Sequence, residues 1–217
     1  MEEIKKKLQR QYNSEELYPN DRVLSSSQIV SIMKSPREFY ERYILGIGET
    51  TLPMMIGTIF SEYYSGNEEA INYLAELEVE DYIIDRLKKA KRQIMKSKDY
   101  EKELKVSING YIIRVTLDGF IKSPLVVVEN KTGKREWEEV KVEDDLQLDL
   151  QAWAVWKLYK RSPKIYLHWI DLNKNAKKPL QIFPTKRSVE YLKNFERDTL
   201  IPIIDQIEDG SLLANLN

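Results

Sequence analysis

Leu125-Val126-Val127-Val128-Glu129-Asn130-Lys131 is the stretch on which the reading of the fold turns. Four apolar residues in a row, three of them β-branched, read as a strand covered on both faces of a sheet. Glu129 and Lys131 stand at i and i+2, so their side chains point to the same face. An acid and an amine placed there raise the free energy unless they meet partners or a metal.

Upstream of this strand, Leu104, Val106 and Ile108 alternate with polar residues as far as Asn109-Gly110, a strong hairpin signal, and Tyr111 to Asp118 returns as the partner strand. A second turn at Lys122-Ser123-Pro124 brings the valine strand back beside Asp118. Asp118 and Glu129 then come within reach of one divalent cation, with Lys131 beside them. Downstream, Asp145 to Tyr159 reads as a helix, Lys164 to Asp171 and Leu180 to Phe183 as strands, and Arg187 to Ile207 as an amphipathic helix. Toward the N-terminus, Leu24-Ser25-Ser26-Ser27 offers an N-cap, and two short helices are broken at Ser35-Pro36. A helix over about 56 to 64 and a longer one over roughly 68 to 97 follow. Residues 1–23, with the turn Tyr18-Pro19-Asn20-Asp21, read as a polar arm outside a single domain, 24–217. The expected class is α/β, a central mixed β-sheet flanked by helices, with a helical N-terminal part.

The 217 residues carry 34 Lys plus Arg against 35 Asp plus Glu, a formal net charge of -1. That balance excludes a globally basic nucleic-acid coat and a disordered acidic chain. With no cysteine, disulfides, thiolate zinc sites and cysteine nucleophiles are excluded, and a single histidine, His168, excludes any site needing two imidazoles. His168, Trp153, Trp156 and Trp169 read as structural residues. No apolar run suits a membrane span and the first residues lack a signal-peptide stretch, so the chain reads as soluble and cytoplasmic, with no membrane partner.

The balance hides local runs. Glu62 to Asp85 holds eight acids and no base, Arg86 to Lys98 seven bases and no acid, and Lys157 to Arg187 nine bases against Asp171 alone. Such runs are read either as solvated helix faces or as surfaces that hold phosphates around a metal centre. Tyr63 and Tyr64, with Arg86, Lys88, Lys89, Lys91 and Arg92, are the candidates for a groove that holds single-stranded DNA. At the centre, spacing alone leaves two readings open: a buried ion pair, or two carboxylates that hold Mg2+ or Mn2+ next to a catalytic lysine.

Thr116-Leu117-Asp118-Gly119-Phe120, followed by Val128-Glu129-Asn130-Lys131-Thr132-Gly133-Lys134, resembles the acid and acid-x-Lys-Thr-Gly core of the RecB-like PD-(D/E)XK nucleases. Further segments match in order. Ser25-Ser26-Ser27-Gln28-Ile29 with Ser35-Pro36-Arg37-Glu38-Phe39 is similar to the family's opening segment, with Ser35 where cysteine often stands. Gly57-Thr58-Ile59-Phe60-Ser61-Glu62 is similar to its G-T-x-x-H-E helix, and Asp145-Leu146-Gln147-Leu148 to its D-x-Q-L helix. The resemblance implies a restriction-endonuclease-like core and a metal-dependent deoxyribonuclease, an exonuclease or single-strand-directed enzyme of recombination, repair or replication. It makes Asp118 and Glu129 metal ligands, the Asn130 main-chain carbonyl a third, Lys131 the catalytic lysine and Gln147 the helix residue that closes the site. Two departures stand out. Ser61 replaces the family histidine, which makes the adjacent Glu62 a candidate ligand, and Gln151 replaces a tyrosine. Without cysteines the chain cannot hold the iron-sulfur cluster of the CRISPR-associated branch. The alternatives are a DNA-binding module that has lost catalysis and a subunit of a helicase-nuclease complex.

Overall fold

A computed structural model describes residues 22–48, 50–134 and 139–214. Of the predicted N-terminal arm, residues 1–21, including the Tyr18-Pro19-Asn20-Asp21 turn, lie outside the described residues. Strands β2 (Asp99–Ile108) and β3 (Tyr111–Ile121) form the predicted hairpin, with Ile108 paired to Tyr111 at its tip. Asn109 and Gly110 sit at φ 45 and φ 79, the left-handed pair that a two-residue turn of this hand requires. Strand β4 (Val126–Gly133) is antiparallel to β3 on one side and parallel to β5 (Lys164–Asp171) on the other. Its central place explains the valine run: Val126, Val127, Val128 and Glu129 are all buried. Strand β1 (Val23–Ser25) runs parallel to β3, and β6 (Leu180–Thr185) closes the other edge antiparallel to β5. The mixed sheet has the order β1-β3-β4-β5-β6, with β2 on the remaining edge of β3.

Each face of the sheet has its own core. Val127, Ile165 and Leu167 point with Ile113, Val115 and Leu117 into one, and Val126, Val128 and Ile170 into the other. The first is covered by α1 (Ser26–Lys34), α2 (Pro36–Phe39) and the long helix α7 (Leu146–Tyr159). The second is covered by α3 (Leu52–Tyr64), α4 (Tyr73–Glu76) and α5 (Asp81–Gln93). Ser25 caps α1 through a reciprocal exchange with Gln28, the side chain of each accepting the other's backbone N–H. Helix α6 (Glu139–Glu143) precedes α7, and α8 (Val189–Phe195), α9 (Ile201–Glu208) and α10 (Ser211–Ala214) finish the chain.

Two predicted helices differ in form. The helix expected over 68 to 97 is divided: Glu78 adopts φ 54, which ends α4 before α5 begins. Leu74 and Leu87 still enter the same core, so the apolar period survives a break that glutamate does not announce. The helix expected over 187 to 207 widens at Glu196–Leu200, where the Ile201 N–H bonds Glu196 O five residues back. Pro202 follows immediately and has no N–H with which to continue the ladder.

Arg187, 3% exposed, fastens this end of the molecule. Its guanidinium donates to Asp149 Oδ1 at 2.5 Å, Glu143 Oε2 at 3.1 Å and Thr185 Oγ1 at 2.9 Å, and to the Val142 and Glu143 carbonyls. No helix among the described residues is long and apolar enough to cross a membrane.

Close packing extends to the end of β4. A Cβ on Gly133 would lie 2.3 Å and 2.7 Å from two ring carbons of Trp169 on the neighbouring strand. An indole buried in a sheet has little freedom to move aside. Gly133→Ala is therefore expected to cost about 1–3 kcal/mol and to lower the melting temperature by several degrees. A thermal melt indistinguishable from wild type would refute that packing.

Candidate active site

The pairing of β3 with β4 runs from Ile121↔Val126 to Gly119↔Val128 and stops. Asp118 and Glu129 are the next residues in register, so they face one another where the strands part. Asp118 Oδ2 accepts the Asn130 backbone N–H at 2.7 Å and satisfies an amide that has lost its strand partner. The N–H and C=O of one strand residue lie on the same edge, so the Asn130 carbonyl also borders the split. Glu129, 3% exposed, accepts at Oε2 from Gln151 Nε2 at 2.7 Å. Gln151 lies fully buried on α7, and its amide also approaches the Thr116 carbonyl at 3.4 Å. Lys131 Nζ is ion-paired with Asp145 Oδ2. The other oxygen of Asp145 caps α7, accepting the Gln147 and Leu148 N–H groups at 3.0 Å and 3.1 Å.

A third strand contributes. The pairs Tyr100↔Gly119 and Lys102↔Leu117 set Glu101 across from Asp118. Ser61 Oγ, on α3, can donate to Glu101 Oε1 at 3.3 Å or to Asp118 Oδ1 at 3.5 Å. Glu101 holds φ 47, a left-handed conformation unusual for a strand residue, which costs on the order of 1 kcal/mol.

Electrostatics here are short of positive charge. Burial pushes Asp118 up to about 6, with the Glu101 charge adding to the rise and the Asn130 N–H and Lys131 opposing it. Burial, then the neighbouring Asp118 charge, raises Glu129 well above the usual carboxylate range, while Lys131 and Gln151 pull the other way. Among the described residues no group of three or more His, Cys, Asp or Glu side chains is arranged to hold a metal. The donor set still fits a hard divalent cation that takes two carboxylates and a backbone carbonyl and leaves its other positions to water or substrate oxygens.

Asp118, Glu129, Lys131 and Asn130 thus come together as the sequence suggests. Gln147 does not join them by its side chain; it lines a groove of about 200 Å³ beside Ser27, Ser31 and Arg42, while Gln151, one turn on, reaches Glu129. Glu62 is half-buried on α3, and its neighbour Ser61 is the residue directed at Asp118. Tyr63 and Tyr64 are corrected as base-stacking platforms: at 9% and 4% exposure both belong to the second core. Tyr64 donates to the Met95 carbonyl at 2.6 Å, and burial pushes its hydroxyl up to about 12.

Much of the first basic run is engaged within the protein. Arg86 donates to the Asp171 and Asn173 carbonyls at 2.6 Å and 2.5 Å. Lys91 pairs with Glu68 over the Tyr63 ring, and Arg92 Nε donates to the Lys88 carbonyl. Lys88 is half-buried, and Lys89 is exposed on a cavity of about 330 Å³ next to Tyr82.

His168 is fully buried on β5, with Nδ1 2.9 Å from Asn130 Oδ1, and burial lowers it to about 4. It braces the side chain of Asn130 as a neutral ring. Sequence reasoning gave no role to Glu101 or Asp145; an acid immediately ahead of a helix was the available signal for the latter.

No family model and no curated protein matches the chain. Among solved structures, a presumed exonuclease of Eubacterium rectale superposes with a TM-score of 0.62 over 91% of this chain and 86% of its own, at 13% identity. The two share a fold. An alkaline exonuclease of Laribacter hongkongensis aligns with 99% of this chain and 98% of its own at 12% identity, but its TM-score of 0.41 is too low to carry an argument.

The raised acids fix the sign of a pH effect. Asp118 titrates at about 6 in the folded chain and near 3.9 when unfolded. The folded protein then binds the proton more tightly, so this stabilisation is complete below about pH 4 and is lost as pH rises through 6. Asp118→Asn is expected to flatten the fall in melting temperature between pH 5 and 8 and to leave the variant more stable than wild type at pH 8. Parallel pH profiles for the two proteins would contradict this.

Proposed function

We propose that the protein is a metal-dependent nuclease of the PD-(D/E)XK superfamily, RecB-like in its motifs, that hydrolyses phosphodiester bonds in DNA. The observation that carries this reading is the meeting of Asp118 and Glu129 at the parting of β3 and β4, with Lys131 two residues along the same strand. Bound Mg2+ or Mn2+ would supply a polarised phosphoryl oxygen and a more acidic water.

The chain's own groups supply position and charge. Asp118 and Glu129, with the Asn130 carbonyl, form the hard-oxygen face that holds the cation. Gln151 fixes the Glu129 carboxylate through the 2.7 Å bond and leaves the other oxygen of that carboxylate to the split. Lys131, as an ammonium held by Asp145, can donate to a phosphate oxygen and offset charge that builds up in the transition state. Ser61 can donate to Asp118 Oδ1 from α3, and the Glu101 carboxylate on β2 adds negative charge beside Asp118. We favour an exonuclease or single-strand-directed activity by the likeness of the motifs to the family's, since the sequence carries no sequence-specific reading element.

The Ser61 hydroxyl, standing where the family has an imidazole, favours one second reading: a DNA-binding module without catalysis, alone or within a helicase-nuclease complex. Manganese titration by calorimetry separates the two, because the module would bind DNA without taking up metal.

With end-labelled single- and double-stranded DNA and Mg2+ or Mn2+, Asp118→Ala and Lys131→Ala should each lower cleavage by at least about 100-fold. Gln151→Ala should cost about 10- to 100-fold through misplacement of Glu129, and Gln147→Ala distinctly less. Full activity in either the Asp118 or the Lys131 variant would sink the assignment.

A further inference from the structure

The basic run Lys157 to Arg187 has no part in the carboxylate centre, yet the fold gathers four of its cations around one opening. Helix α7 ends with Lys160 in a left-handed conformation, φ 58, and the chain turns through Arg161 and Ser162 into β5, which begins at Lys164. Strand β6 ends at Thr185, placing Lys186 on the same side. Between these ends lies a cavity of about 520 Å³, lined by Lys160, Arg161, Lys164 and Lys186, with Arg187 beneath.

All four rim cations are exposed, and among the described residues no Asp or Glu lines the cavity. The charge of Arg187 is already answered by Asp149 and Glu143, and that of Lys157 by Glu196. Among the described residues, none of the four rim cations is paired with a carboxylate. Lys164 instead leans over the Tyr166 ring at 4.8 Å. Four like charges around one concavity repel one another, and among the described residues no carboxylate at the rim offsets the repulsion. A polyanion would do so.

We propose that this cavity binds a stretch of nucleic-acid sugar-phosphate backbone away from the bond that is cut. The proposal rests on the nuclease reading and extends it to a second, sequence-independent contact. Three of the four rim cations are lysines, which hold phosphates as point charges without reading bases. Placement agrees: Lys164 pairs with Val126, three residues before Glu129 on β4, or about 10 Å along the strand. Helix α7 spans the two sites, from Asp145, paired with Lys131, to Lys160 on the cavity rim, roughly 20 Å, so a nucleic-acid strand held at the carboxylates would reach the cavity after several nucleotides.

The test is fluorescence anisotropy of labelled oligonucleotides, single-stranded and duplex, with wild type and with the triple variant Lys160→Gln, Arg161→Gln, Lys186→Gln. Binding is measured in EDTA across a range of salt concentrations. The slope of log affinity against log salt should become shallower by about 2 for single strands and nearly 3 for duplex, with at least about a tenfold loss of affinity at low salt. If the triple variant folds poorly, Lys186→Gln alone should reduce the slope by about 1. Because no turnover is needed, a protein that binds in this way but does not cleave would sink the nuclease reading and leave the cavity's role standing. Unchanged slopes would overturn the proposal. So would loss of binding only to phosphatidylserine vesicles with DNA affinity intact, which would assign the cavity to a membrane surface.

Discussion

The hydrogen bond from the Asn130 amide to Asp118 Oδ2, 2.7 Å long, sits where two strands stop pairing, and the site on either side depends on it. A sheet that splits in its interior strands backbone N–H and C=O groups without partners, at roughly 1–3 kcal/mol for each buried group. Here side chains close the gap. Asp118 takes the free amide of β4, and Gln151 approaches the Thr116 carbonyl on β3 while holding Glu129. The residues that satisfy the split backbone are therefore Asp118, one of the two facing carboxylates, and Gln151, which holds the other. Those bonds help two carboxylates remain so near each other, although burial raises both.

Position in such a site is set from a distance. Helix α7 is buried continuously from Leu148 to Val155, and it carries Gln151 on one side and the cap Asp145 at its start. Trp153 donates to Glu196 at 2.7 Å, and Asp149 holds Arg187, so both ends of the C-terminal region lock the helix. Asp145 joins the two systems, since one of its oxygens caps α7 and the other pairs with Lys131. The lysine's place is in this way tied to the start of a helix, which is more rigid than a loop.

Local signals in the sequence carried through to the structure. The Asn109-Gly110 turn, the valine strand and the Ser25-Gln28 cap each depend on neighbours a few residues away. Signals that required the third dimension were lost. Tyr63 and Tyr64 look available for stacking beside Glu62, yet α3 turns them into the second core, where the hydroxyl of Tyr64 finds the Met95 carbonyl. A count of bases cannot show that Arg86 is occupied by the carbonyls of the segment after β5. Gln147 and Gln151 share a helix face, and only the splay of β3 from β4 selects the latter. Glu101 was legible in principle: stepping back equally along both strands from the Asn109-Gly110 turn sets it opposite Asp118.

The near-zero net charge has a physical basis in this arrangement. Asp118, Glu129, Glu101 and Asp145 crowd one lysine, so the centre is negative unless a cation joins it. A polyanion would be repelled from such a centre if the surrounding surface shared its sign. At physiological salt, however, charges act over about 8 Å, so the sign of the field can change between the centre and a cavity some 10 Å along the strand. A cationic concavity at the start of β4 and an acidic split further along it can therefore act on different parts of one chain of phosphates. Their charges offset one another in the total and not in the local field, and the local field is what an approaching phosphate would meet.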